Sequence, residues 1–320
     1  MPSPASIVDR LLDATVAPGF TAIGSGVRRR LADWGPPIER DLTGRTYVVT
    51  GTTSGIGSEI ARGLIGAGAR VLAVGRDRDR TEASSASLGA AAVVADMANL
   101  DAVREACRII LADTEQIDGL VHNAGALVAR RVDNASGIES TVAAQVLGPF
   151  LMTSLLLDRL STGDNRPGRV VTVASGGMYA AGLSIGSLQM PAESYRGSEQ
   201  YARAKRAQVT LNEMWADRVD PTRAVFHAMH PGWADTPGVQ SSLPRFHRTL
   251  SPVLRSPADA ADTVLWLLAS ADGGASSGGF WHDRRRRPIH RLPSTRRSDT
   301  EARRHQLWEW VVSQTDDPLA

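Results

Sequence analysis

Lysine and cysteine are almost absent from this chain. Its 320 residues hold one cysteine, Cys107. No intramolecular disulfide can form, and a reducing compartment such as the cytoplasm fits. An excess of charge is also missing. Thirty-six basic residues stand against 34 acidic ones, a net +2 that gives no reason to expect a nucleic-acid partner. No apolar run reaches the roughly 18 residues of a spanning helix. The opening stretch, MPSPASIVDRLLD, lacks the charged-then-apolar order of a secretory signal. Lysine is the scarcest cation: Lys205 is the only one, and the other 35 basic residues are arginine. What is present is ordinary for a globular protein. Hydrophobic residues at 42% and charged residues at 22% exclude wholesale disorder.

Residues 1–40 read as a helical leader. Ile7, Val8, Leu11, Leu12, Val16, Phe20, Ile23, Val27, Leu31 and Trp34 recur at helical spacing, and Pro18-Gly19 is expected to split them into two helices. Two readings stay open: helices packed on the domain surface, or a peripheral membrane contact aided by Arg28, Arg29 and Arg30. From residue 45 strand and helix patterns alternate. Runs such as RTYVVTG, RVLAVG, AAVVAD, GLVHNAG, GRVVTVAS and RAVFHAMHPG are apolar throughout, with helical stretches between them; the longest is read as Ile138–Leu160. Continuously apolar strands joined by helices predict an α/β fold. We expect a Rossmann-like, doubly wound parallel sheet of about seven strands, with helices on both faces. The expected division is leader 1–40, nucleotide-binding domain 41–295, and a C-terminal helix and tail 296–320. Segments 176–198 and 233–256 fall outside the alternation, and their apolar content marks them as pocket walls. For Met178, Tyr179, Leu183, Ile185, Leu188 and Met190, core and substrate wall are both open readings.

Two constellations carry chemistry. Thr50-Gly51-Thr52-Thr53-Ser54-Gly55-Ile56-Gly57 lies between the first strand and first helix. Glycines there let a pyrophosphate approach the backbone, and the helix N-terminus offers free N–H groups and a positive dipole end. Arg76 ends the second strand, where an NAD site usually has a carboxylate. Arginine can pair with a 2′-phosphate, so NADP is expected over NAD. The second constellation is Tyr201-x-x-x-Lys205 on a helix, which puts phenol and ammonium on one face. A nearby cation lowers a phenol's pKa and fits it for proton exchange with a carbonyl or alcohol oxygen. Ser175, at a strand's carboxyl end, can hydrogen-bond the same oxygen.

In these residues the chain resembles the short-chain dehydrogenases/reductases, over about residues 43–292. The glycine stretch is similar to the family's TGxxxGxG. Asp96, with Met97 beside it, matches the acidic position at the adenine. Asn123-Ala124-Gly125 matches NAG, and Pro231-Gly232 with Thr236 the motif at the nicotinamide end. Ser175, Tyr201 and Lys205 match the catalytic serine and YxxxK. Segments such as VASGGMY, YARAKRAQ and HAMHPGWADTPGVQ look like the subgroup called dehydrogenase/reductase family member 12. The resemblance implies hydride transfer between NADP(H) and a carbonyl or alcohol, with Tyr201 as general acid or base, and pairing into homodimers through the helices of residues 145 and 201. Gln145 departs from the pattern. The family has an asparagine there, which helps hold a water that relays protons to the lysine. That departure motivates a second reading, a non-catalytic NADP(H) sensor. His227 and His230, spaced H-x-x-H, lack the further ligands a metal site needs. The run Arg284–Arg287 reads as solvated or carboxylate-paired.

Overall fold

The computed structural model describes residues 4–160 and 166–316. The first three residues of the leader and the last four of the C-terminal segment lie outside the described residues. Three helices come first: α1 (Pro4–Ala14), α2 (Val16–Phe20) and α3 (Ala22–Leu31). The breaks fall at Thr15 and Thr21, both extended, and not at Pro18-Gly19. Pro18 sits in the first turn of α2, where its missing N–H costs nothing.

The body alternates strand and helix as expected: β1 (Thr46–Thr50), α4 (Gly55–Gly66), β2 (Arg70–Gly75), α5 (Arg78–Leu88), β3 (Ala91–Val94), α6 (Leu100–Asp113) and β4 (Gly119–His122). Then come α7 (Ser140–Val142), a π-helical turn (Ala143–Leu147), α8 (Gly148–Leu156), β5 (Gly168–Val173), α9 (Gly197–Arg218) and β6 (Ala224–Met229). The chain ends with α10 (Pro237–Ser242), α11 (Pro244–Leu250), α12 (Pro257–Ala269), β7 (Gly279–His282), β8 (Arg285–Arg286), α13 (Pro293–Ser298) and α14 (Glu301–Thr315). The helix read as Ile138–Leu160 starts at Ser140, because the Glu139 carboxylate caps it by accepting from the N–H groups of Thr141 and Val142. It also contains the π turn. Segment 233–256 is not an open loop; it folds into α10 and α11.

The sheet has eight strands in the order β3-β2-β1-β4-β5-β6-β7-β8. All pairs are parallel except β7–β8. The extra strand is the run of arginines, folded back after β7 by a two-residue turn. Asp283 and Arg284 both have φ of 52° there, a conformation usually left to Asn-Gly. Ion pairs hold it. Arg284 grips Asp262 with two 2.7 Å bonds. Asp283 accepts from Arg28 at 2.6 Å and from Arg255 at 2.5 Å.

Those pairs also fasten the leader. Arg28 bonds Asp9 at 2.8 Å, and Arg287 bonds Asp9 at 2.6 Å. The Phe20 carbonyl accepts from the Trp233 N–H at 2.8 Å and from Arg255 Nε at 3.0 Å. The Phe20 ring meets His230 edge-on at 4.4 Å. Helices α1–α3 are thus built into the domain against the connections that follow β5 and β6, with Asp9, Phe20 and Arg28 buried. At the other end Trp308 of α14 packs on Phe150 and Trp215. The run Ser140–Arg159 is long and apolar enough to cross a membrane by composition, yet most of it is buried in the domain. Met178, Tyr179, Leu183, Leu188 and Met190 are buried as well. Ile185 beside them is half-buried.

Candidate active site

Every predicted site residue lies at the carboxyl edge of the parallel strands or on the helices above it. Strand order reverses between β1 and β4, the switch point where open α/β sheets bind ligands. The glycine stretch occupies the β1–α4 connection at this point. Gly51 and Gly55 have φ of 74° and 62°. A Cβ on Gly57 would overlap the Gly51 carbonyl oxygen. Asn123, after β4, braces the stretch: its Nδ2 donates to the Thr50 and Gly51 carbonyls at 2.9 and 3.1 Å. Thr50 Oγ1 in turn accepts from the N–H groups of Asn123 and Ala124. The N-cap Ser54 makes no side-chain cap bond, so the first N–H groups of α4 remain available. Buried Thr52 Oγ1 likewise has no partner among the described residues. Positive φ, close backbone approach and unclaimed donors fit the pyrophosphate of a dinucleotide.

Thr53 and Ile56 flank this loop, and the Thr236 side chain would touch a Cβ on Gly55 at 3.3 Å. Thr236 caps α10 through Val239 N–H. Pro231 and Gly232 follow β6, and the Pro231 carbonyl accepts from Arg255 at 3.3 Å. Arg76 is exposed after β2. Its neighbour Asp77 is committed to capping α5, where it accepts from Arg80 N–H at 2.9 Å. Gly75 has a packing reason the sequence hid, since a Cβ would collide with the Thr81 hydroxyl of α5. Asp96 is exposed after β3 and Met97 is buried beside it.

Ser175 follows β5 by two residues, and its Oγ accepts from Gly177 N–H at 3.2 Å. The Phe20 ring backs this turn so closely that a Cβ on Gly176 would lie 2.6 Å from it. Tyr201 and Lys205 face the same edge from α9. Burial pushes the Tyr201 phenol up to about 12, although a hydrogen bond from Ser175 favours its anion. Burial likewise brings Lys205 down to about 7. The expected lowering of the phenol's pKa by lysine is therefore not seen. Burial sets the direction, and Lys205 Nζ donates to the Val173 carbonyl at 2.8 Å and lies 5.3 Å from the Tyr201 ring centre.

Gln145 stands on the π turn and is fully buried. Its Nε2 donates to the Ala126 carbonyl at 2.9 Å. Its stem fills the space beside Gly125, where a Cβ would lie 3.1 Å from Cδ. The histidines have other duties. His227 accepts from the Trp281 indole at 3.0 Å, and His230 stacks on His282 at 3.8 Å. No group of three or more metal-ligating side chains occurs among the described residues.

The arrangement defines a class: a dinucleotide-binding α/β protein with a Ser, Tyr and Lys set at the cofactor edge. The comparisons name that class. The short chain dehydrogenase family model matches residues 45–245. A dehydrogenase/reductase SDR family member 12 from Bos taurus is 36% identical over 293 residues, 89% of this chain and 91% of that protein. Retinol dehydrogenase 12 from Homo sapiens is 30% identical over 276 residues, 83% of this chain and 85% of that one. The solved Pseudomonas aeruginosa RhlG/NADP complex shares the fold at a TM-score of 0.62 and 24% identity, covering 75% of this chain and 94% of that one. The chain belongs to the short-chain dehydrogenase/reductase family and, with it, to the NAD(P)-dependent oxidoreductases that act on small molecules.

Proposed function

We propose that this protein is an NADP(H)-preferring oxidoreductase of an apolar carbonyl or alcohol. The gathering of Ser175, Tyr201 and Lys205 beside the glycine loop carries the reading. Gly51, Thr53, Ser54, Gly55, Ile56 and Gly57 would hold the pyrophosphate. Arg76 would hold the 2′-phosphate, and Asp96 with Met97 the adenine end. Asn123, Ala124, Gly125, Pro231, Gly232 and Thr236 would hold the nicotinamide half with Tyr201 and Lys205. When bound, the cofactor supplies or accepts the hydride. Tyr201 Oη gives its proton to the carbonyl oxygen in reduction and takes it from the alcohol in oxidation. Ser175 donates to the same oxygen and orients it. The neutral phenol and the cation-capable amine suit the acid role first. The half-buried apolar residues Trp233, Phe246 and Leu250, with the similarity to a retinol dehydrogenase, support an apolar substrate.

The test is fluorescence titration with NADPH and NADH. NADPH should bind tighter, and Arg76→Ala should erase roughly tenfold or more of that preference. Asp77, tied to its helix cap, leaves Arg76 the charged side chain free to choose. Binding of neither nucleotide would end the oxidoreductase reading. NADPH binding without turnover across a broad carbonyl panel would favour the sensor, a reading supported by Gln145 being bonded to Ala126.

We also infer peripheral contact of the leader with an anionic bilayer. Ile7, Leu11, Val16, Ile23 and Leu31 are exposed on α1–α3, beside exposed Arg10, Arg29 and Arg30. Co-sedimentation with phosphatidylserine vesicles should drop in Ile7→Ser/Leu11→Ser; unchanged partitioning would remove the idea. Substitution is the right probe, because deleting the leader would strip Phe20 and Arg28 from the fold. A homodimer through the helices of Gln145 and Tyr201 would have to form around α14, which already packs there.

A further inference from the structure

The leader reaches the candidate site through one residue. Phe20 ends α2 and is 4% exposed. Its ring lies between the connections that follow β5 and β6. On the β5 side it backs the turn after Ser175, where a Cβ on Gly176 would lie 2.6 Å from ring atom Cε2. On the β6 side it meets the His230 ring edge-on at 4.4 Å and the Trp233 ring at 6.0 Å. His230 Nδ1 accepts from the Gly232 N–H at 3.3 Å, so the ring reaches the Pro231-Gly232 turn through His230. The backbone of the same residue holds the far end of that turn, because the Phe20 carbonyl accepts from the Trp233 N–H at 2.8 Å. Gly232 leaves no slack there: a Cβ on it would lie 2.6 Å from the Phe20 oxygen.

Phe20 is itself held firmly. A helix leaves its last carbonyls unpaired, and here two buried arginines take those at the end of α2. Arg255 Nε donates to the Phe20 and Thr21 carbonyls at 3.0 and 3.2 Å, and its Nη2 to Gly19 at 3.1 Å. Arg28 Nη1 donates to the Gly19 carbonyl at 2.8 Å. Arg255 Nη1 also reaches the Pro231 carbonyl at 3.3 Å, so one guanidinium ties α2 to the turn that Phe20 braces. Two glycines bring the leader helices together around it. A Cβ on Gly19 would lie 2.1 Å from the Leu12 carbonyl oxygen of α1, and one on Gly24 of α3 would lie 2.5 Å from that of Pro18. A ring fixed in this way passes any change in its shape to the groups it touches, because interiors are close-packed.

We propose that Phe20 is a positioning residue for the nicotinamide end of the site, a wedge that sets the Ser175-Gly176 turn against the Pro231-Gly232 turn. The proposal rests on the oxidoreductase reading. Phe20 acts through its neighbours and moves no proton or electron. Its effect is geometric, and a misplacement of about 1 Å at a reacting centre can cost roughly 10²-fold. The adenine half is assigned to Arg76, Asp96 and Met97, which follow β2 and β3 on the other side of the switch point. That half should not feel the wedge. The leader is on this account a working part of the site, beyond its role in holding the fold together.

Two ligands separate the halves of the site. Calorimetric titration of the full chain would use NADPH and adenosine 2′,5′-bisphosphate, which carries the adenine half without nicotinamide. Phe20→Ala should weaken NADPH by about tenfold and leave the bisphosphate within about twofold. Equal loss of both ligands would mean a general structural role and overturn the proposal, as would loss of neither. Gly176→Ala, which drives a methyl into the ring, should reproduce the NADPH loss. Adding Phe20→Leu vacates that space and should restore the affinity, a rescue that general damage to the fold would not give. Should Phe20→Ala fail to fold, this pair decides: no loss in Gly176→Ala, or no recovery in the double variant, refutes the wedge. NADPH binding no tighter than the bisphosphate in the unsubstituted protein would also refute it, with the cofactor reading left standing. Binding of neither ligand by the unsubstituted protein would instead bring down the oxidoreductase reading.

Discussion

Tyr201→Phe is expected to abolish carbonyl turnover and leave NADPH binding nearly unchanged. The substitution removes one hydroxyl and keeps the ring, so the packing of α9 against β5 is preserved. What is lost is the proton donor. Positioned acid–base groups contribute roughly 10²–10⁴-fold, and a fall in kcat of at least that size should appear without a matching change in cofactor affinity. Lys205 cannot take over, because its Nζ is directed to the Val173 carbonyl. Stopped-flow turnover beside fluorescence titration measures both quantities. Activity in the variant equal to that of the unsubstituted enzyme would refute the assigned role of Tyr201.

Asp283→Asn is expected to cost about 3–5 kcal/mol of stability, the range for stranding a buried charge. Burial would raise the Asp283 carboxyl, but Arg255 and Arg28 outweigh it and hold the group below the usual carboxylate range. Asparagine keeps the volume and tolerates the positive φ at this position, so the variant isolates the charge. Without it, buried Arg255 loses its carboxylate and Arg28 keeps only Asp9. A loss of this size is a large part of the roughly 5–15 kcal/mol that holds a typical domain together. The urea midpoint should fall, and proteolysis should reach residues 1–35 first. The native contribution is present above the unfolded carboxylate pKa and fades as pH falls through the lower folded value. An unchanged midpoint would mean that the leader is held by its apolar contacts alone.

Much of the site was legible in one dimension. The cofactor edge is built from short local signals: glycines between a strand and a helix, a Tyr and a Lys four apart, a polar residue at a strand's end. Each is dictated by chemistry within a few residues, so each could be read before the fold. The sheet followed from the same logic, because strands buried on both faces must be apolar throughout. The eighth strand did not. Arg285 and Arg286 pair with β7 only because Asp262, Arg28 and Arg255 hold the turn between them, and those residues lie far apart in the chain.

The same division applies to the functional details. Asp77 beside Arg76 was ambiguous until its carboxylate was found capping α5. The expected effect of Lys205 on Tyr201 lost to burial, a quantity set by every neighbour at once. Polar residues on a helix normally face water, yet Gln208 and Asn212 of α9 are buried. Only packing against β5 and the π turn turned them inward. The sequence by itself determined the sheet, the dinucleotide loop and the Tyr-x-x-x-Lys pair, because those depend on local geometry and hydrophobic pattern. The tertiary structure alone decided the docking of the leader and the charge cluster that locks it. Ion pairing and desolvation act through space between residues that the chain keeps apart.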